Sequence, residues 1–144
     1  MSTSAAVVTA LTFVWLGMVF AISFLEAPLK FRAPGVTLPI GLGIGRLVFR
    51  ALNAAEVVWA AAILIAVVLG SWPGVATPIA AGVAIAALVI QLVAVRPALA
   101  KRSDAVLAGY EGPRSSAHLV YVAFEVIKVA ALIWLGTAVL VSAS

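Results

Sequence analysis

The chain has 144 residues, 65% of them hydrophobic and 10% charged, whereas a soluble domain is about a quarter charged and under about half apolar. A soluble globule of this length cannot hide so much apolar surface, so a soluble enzyme is excluded and lipid is the expected solvent. The lack of cysteine removes disulfide scaffolds, thiol nucleophiles and iron–sulfur clusters. The formal charge of +4 is distributed for orientation in a membrane rather than for nucleic acid.

Four stretches carry the roughly 20 apolar residues that cross a bilayer. The first runs from about Ala5 to Leu25. It reads as a retained helix and not a signal peptide, because no Lys or Arg precedes its end. After the loop 26–43, rich in proline and glycine, the second span runs from about Ile44 to Leu69. The Gly70-Ser71-Trp72-Pro73-Gly74 turn makes it a hairpin with the third span, about Thr77 to Val95. The loop 96–116 follows, then a fourth span from about Ala117 to Val141. The expected fold is all-α: one transmembrane domain, an up-down-up-down four-helix bundle.

Lys30, Arg32, Arg46, Arg50, Arg96, Lys101, Arg102 and Arg114 sit in or beside the two longer loops, and the termini and the 70–76 turn carry no basic residue. The positive-inside rule makes those loops cytoplasmic and both termini external, in a bacterial inner membrane. The same cations could also meet anionic lipid head groups.

The chain aligns with itself at an offset of 72, half its length of 144. Arg46-Leu47-Val48-Phe49 then matches His118-Leu119-Val120-Tyr121, Asn53 matches Glu125, and Glu56 matches Lys128. This predicts a duplicated hairpin about an axis along the membrane normal, with matched positions facing each other.

On the fourth span His118, Tyr121, Glu125 and Lys128 share an arc of about 80°, and on the second Arg46, Arg50, Asn53 and Glu56 share about 120°. Glu56, Gln91, Glu125 and Lys128 fall roughly 8 to 12 Å inside the cytoplasmic boundary, with Glu26, His118 and Arg46 near the boundary itself, as is Arg96, which is not counted as a pocket candidate. Ionisable groups at depth cost about 2.5 to 3.5 kcal/mol each, so they should face inward and pair. The symmetry suggests Glu56 with Lys128, and Glu125 with Arg50 or Asn53. These ten residues are the candidates for a solute or proton pocket, and a buried network that only fixes helix register is the competing reading. No metal or cofactor is indicated: the Glu-x-x-His steps of helix-bundle carboxylate sites are missing, and one histidine cannot supply two haem ligands.

Gly41 and Gly45 read as a close-packing pair, ahead of an anion-binding glycine turn. Ala81, Gly82, Ala84, Ala86 and Ala87 read as a small-residue face, for contact within the monomer or in a homo-oligomer. Ser103 to Gly109 reads as a short surface helix with a capping serine, and Ser115 or Ser116 as the cap of the fourth span.

The stretch Glu26-Ala27-Pro28-Leu29-Lys30-Phe31-Arg32-Ala33-Pro34, with Gly45-Arg46-Leu47-Val48-Phe49 and Asn53-Ala54-Ala55-Glu56, resembles a family of small bacterial four-helix membrane proteins of unassigned function. Its layout is distantly similar to the copper-resistance-D-like superfamily, which includes the membrane protoporphyrinogen oxidase. The resemblance implies a four-helix membrane fold and carries over no catalytic residue. Three functions follow from the polar layer. The first is binding or transport of a small solute, coupled to protons through Glu56 or Glu125. The others are a membrane-embedded enzyme using Glu125 and His118 on a lipid-soluble substrate, and a structural or assembly subunit. The expected partners are the bilayer and a small molecule or anionic lipid, not nucleic acid.

Overall fold

The computed structural model describes residues 1–109 and 116–144. It is all-α: four long apolar helices pack as a bundle, and each is long and apolar enough to cross a membrane, as in a multi-pass membrane protein. They are α1, Thr3–Arg32; α2, Leu38–Leu69; α3, Ala76–Leu107; and α4, Ser116–Ala143. Helices α1 and α3 each pack against α2 and α4, so α2 and α4 stand diagonally opposite. Ser2, Trp72 and Ser142 meet at one end and Lys30, Arg46, Arg102 and His118 at the other, so successive helices alternate in direction.

Local chemistry starts and stops these helices. The Ser2 hydroxyl accepts the Ala5 N–H at 3.0 Å at the head of α1, and Thr37 caps α2 with Pro39 in its first turn. The tight turn after α2 closes on Trp72, whose indole N–H donates to the Val67 carbonyl at 2.8 Å. Gly74 there adopts a φ of 112°, which favours glycine.

Trp15, Val8, Val19, Ile63, Leu132 and Leu135 are fully buried, while Leu47, Leu69 and Val93 are 69%, 78% and 72% exposed. Such side chains point outward only where the surroundings are as apolar as they are. The alanines of α3 divide by helical period. Ala80, Ala81, Ala84 and Ala87 face inward, whereas Gly82 is exposed, as is Ala86. The expected small-residue face is therefore an inner stripe narrower than the sequence suggested, and it lets neighbouring helices approach closely.

The helices outrun the expected spans. α1 continues to Arg32, α2 begins at Leu38, and α3 passes through residue 96 to Leu107, so most of what read as two loops is helix. Apolar counting sees only the hydrocarbon, while a helix can satisfy its backbone well beyond it. Both extensions also contain a proline that should end them. In α1 a π-helical stretch, Phe20–Glu26, precedes Pro28, and in α3 another, Gln91–Val95, precedes Pro97. Each proline falls in the first turn of the α-helical segment that follows. The shifted hydrogen-bond register accommodates the missing N–H and the ring.

One smaller expectation changes with this, and the close packing expected of Gly41 and Gly45 is found where α1 meets α2. Ser103 caps no separate surface helix: it is buried within α3, and Asp104 instead pairs with Arg46. Gly41 and Gly45 lie inside α2, where their N–H groups are part of the helix, and not in an anion-binding turn. A Cβ on Gly41 would strike the Phe31 ring, and one on Gly45 would stand 3.0 Å from Lys30 Nζ. These glycines let the end of α1 lie against α2. The expected cap of α4 and Arg114 fall outside the described residues and side chains.

Candidate functional site

The polar side chains of the four helices converge on Lys128. Its ammonium is fully buried, 2.5 Å from Glu56 Oε2 across the bundle and 2.5 Å from Glu125 Oε1 on its own helix. It also donates to Gln91 Oε1 at 2.8 Å. All of its donors are used. Glu56 is equally well held: Oε1 accepts from Asn53 Nδ2 at 2.9 Å, and Oε2 accepts from Trp15 Nε1 at 2.8 Å. Burying charge is tolerable only with this degree of pairing and hydrogen bonding.

Glu125 is placed differently. Gln91 Nε2 donates to its Oε1 at 2.8 Å, and the Ser23 hydroxyl donates to its Oε2. Both donors come from the π-helical stretches of α1 and α3. A π turn inserts a residue and re-aims its neighbours, a device frequent at functional sites. The expected partners of Glu125, Arg50 and Asn53, do not bind it: Asn53 serves Glu56, and Arg50 is exposed on α2. Arg50 lies at the end of its wide arc and stands in the cavity wall instead of meeting the carboxylate.

A cavity of about 560 Å³ opens beside Glu125, at the end of the bundle that holds Lys30, Arg46 and His118. Glu125, Tyr121 and Ser23 line it, and Glu56, Lys128 and Gln91 do not. Glu125 is thus both a member of the buried network and part of the cavity wall. Phe49 of α2 stands in the same wall. Its ring meets Tyr121 edge-on at 5.8 Å, with Lys30 Nζ 5.7 Å and Arg96 5.9 Å from its centroid. The Tyr121 hydroxyl is buried beside Asn53.

Of the ten sequence candidates, Glu56, Asn53, Gln91, Glu125 and Lys128 form one hydrogen-bonded network. Arg46, Arg50, His118 and Tyr121 stand in the cavity wall with Glu125. Glu26 lies outside that wall, 3.8 Å from Lys30. Residues that sequence reasoning missed are Trp15, Ser23 and Phe49, and Arg96, read only as a charge at the membrane boundary, also stands in the wall. Ser23 carried a weak signal, as a hydroxyl in an apolar run, but its aim depends on the π turn. Among the described residues, no three His, Asp or Glu side chains come together as metal ligands.

Two carboxylates share one ammonium here. With all three ionised, the dry layer holds one negative charge too many, a costly arrangement. No protein-family model, curated relative or solved structure matches the chain.

Proposed function

We propose that this membrane protein takes a small solute into the cavity beside Glu125 and couples its occupancy to a proton on that carboxylate, as a solute-binding or transport protein does. The observation that carries the reading is the double membership of Glu125, in the cavity wall and in the buried network with Lys128 and Glu56. Facing Glu125 are Lys128 and Tyr121 on its own helix, Glu56 from α2, Gln91 from α3 and Ser23 from α1, and Lys30, Arg46, Arg50, Arg96, Arg102 and His118 share its cavity. A solute that alters the local charge alters how this set shares its protons.

By the positive-inside rule the cavity opens to the cytoplasm and both termini lie outside. The offset of 72 belongs to the same reading. Phe49 with Tyr121, and Glu56 with Lys128, are matched pairs, and each pair is in contact, which supports two halves related by an axis through the site. The Glu56–Lys128 pair is enclosed on every side, so its role in this account is to hold α2 and α4 in register beneath the cavity.

The test uses the full chain in phosphatidylcholine nanodiscs and three eight-carbon amphiphiles with sulfate, trimethylammonium or glucoside heads. Saturable binding of at least one is expected, with loss in Leu99→Trp, which fills the cavity. If none distinguishes the wild type from Leu99→Trp, the cavity is not a binding site.

A further inference from the structure

The cavity wall specifies a charge for its occupant. Among the described residues Lys30, Arg46, Arg50, Arg96 and Arg102 line it, with Glu125 the only carboxylate. The acids that meet two of these cations, Glu26 beside Lys30 and Asp104 at 2.7 Å from Arg46, lie outside the wall. Among the described residues no carboxylate pairs with Arg50 or Arg96. Arg96 rests against the Phe49 ring. The described wall therefore carries an excess of positive charge, and guanidinium forks hold oxyanions by paired hydrogen bonds.

Two neutral polar groups point to the same class of ligand. The Ser103 hydroxyl is buried in the wall with no hydrogen-bond partner among the described residues, and the Tyr121 hydroxyl is buried there with Asn53 as its polar neighbour. A buried hydroxyl without a partner costs free energy unless an occupant accepts its hydrogen. The rest of the lining is apolar, with Phe24, Phe31, Leu42, Phe49 and Leu99 forming a surface for a hydrocarbon body. A volume of about 560 Å³ suits one small ligand.

We propose that the cavity is a site for an amphipathic oxyanion, a phosphate-, sulfate- or carboxylate-headed molecule with a short apolar body. The proposal rests on the solute-pocket reading and adds the class of solute. The head sits among Arg50, Arg96 and the Tyr121 and Ser103 hydroxyls, and the body lies against Phe49 and Leu99. Such a ligand could enter from the leaflet as an anionic lipid or from water as a free anion, and the two share the same head chemistry.

Calorimetric titration of the full chain in phosphatidylcholine nanodiscs, with empty nanodiscs as the reference, separates these outcomes. Octyl sulfate is expected to bind saturably, and octyltrimethylammonium is not. The Arg50→Gln, Arg96→Gln double variant should bind octyl sulfate on the order of tenfold more weakly or worse. Arg50→Lys with Arg96→Lys should recover part of that loss, which a merely structural defect would not allow. Displacement of octyl sulfate by inorganic phosphate supports a free anion, and displacement only by phosphatidate-containing vesicles supports a leaflet lipid. Tighter binding of the cationic or the glucoside probe, lost in Leu99→Trp, overturns the oxyanion class and leaves the solute pocket standing. Unchanged octyl sulfate affinity in the double glutamine variant also overturns it. If none of the three probes binds saturably, both readings fall.

Discussion

Lys128 Nζ lies 2.5 Å from Glu56 Oε2, on helices that stand diagonally across the bundle, so a single ion pair spans the centre of the protein. That contact joins α2 to α4, which otherwise meet mainly through α1 and α3. It also fixes the height at which Glu125, one turn from Lys128, meets the cavity.

Removing the ammonium leaves two enclosed carboxylates facing each other. Lys128→Met is expected to destabilise the fold by about 3–5 kcal/mol, measured by unfolding in mixed detergent micelles. Adding Glu56→Gln should recover part of that loss, giving a favourable coupling term in the double-mutant cycle. The charge swap Glu56→Lys with Lys128→Glu should recover less. Trp15 Nε1 and Asn53 Nδ2 both donate to position 56, and they would then face an ammonium.

Trp15→Phe keeps an aromatic ring in the core and removes the N–H that Glu56 accepts. A loss of about 1 kcal/mol is expected, in the range of intramembrane hydrogen bonds. Trp59→Phe is the control. Its indole N–H meets the sulfur of Met18 at 3.2 Å, a weak acceptor, and it should cost less in the same unfolding assay.

Two glycines separate tight packing from yielding packing. A Cβ at Gly70 would stand 2.9 Å from the Ala66 carbonyl oxygen and 2.9 Å from Ser4 Cβ, atoms held by the ends of α1 and α2. At Gly136 the same atom would stand 2.7 Å from the Phe13 ring, which is partly exposed and can swing outward. Gly70→Ala should therefore cost about 1–3 kcal/mol, and Gly136→Ala should fall at or below the low end of that range. Thermal melts of the two variants check the order.

The four helices, their order and their alternating direction were legible because apolar runs and basic loops are additive properties that survive without tertiary detail. The stripe from His118 to Lys128 was legible for a related reason, since a regular period of 3.6 converts spacing directly into a face. The same arithmetic failed at Ser23 and Gln91, where π-helical turns break the period. It failed again at residue 103, where α3 runs on through Pro97. Pairing was partly legible: the symmetry pointed to Glu56 with Lys128, but the partners of Glu125 come from α1 and α3, which the offset did not align in register. The cavity itself could not be read, because it depends on how the extended ends of α1 and α3 pack beside α2 and α4.

Orientation has a direct check, since the chain has no cysteine to remove. Ser71→Cys, in the turn between α2 and α3, should react with a membrane-impermeant maleimide on intact spheroplasts. Ala33→Cys, in the short connection between α1 and α2, should react only in inverted vesicles. The reverse pattern would turn the cavity outward.

The central claim is that occupancy of the cavity is felt by Glu125. An anion entering beside its carboxylate is repelled, and uptake of a proton removes the repulsion. Octyl sulfate does not titrate near neutrality, so any proton exchanged on its binding belongs to the protein. The decisive measurement is the number of protons taken up per octyl sulfate bound, read with a pH dye in weakly buffered nanodiscs, for the wild type and for Glu125→Gln. The account predicts uptake in the wild type, and binding without uptake in the variant. Equal uptake in both, or binding to the wild type with none, would contradict it.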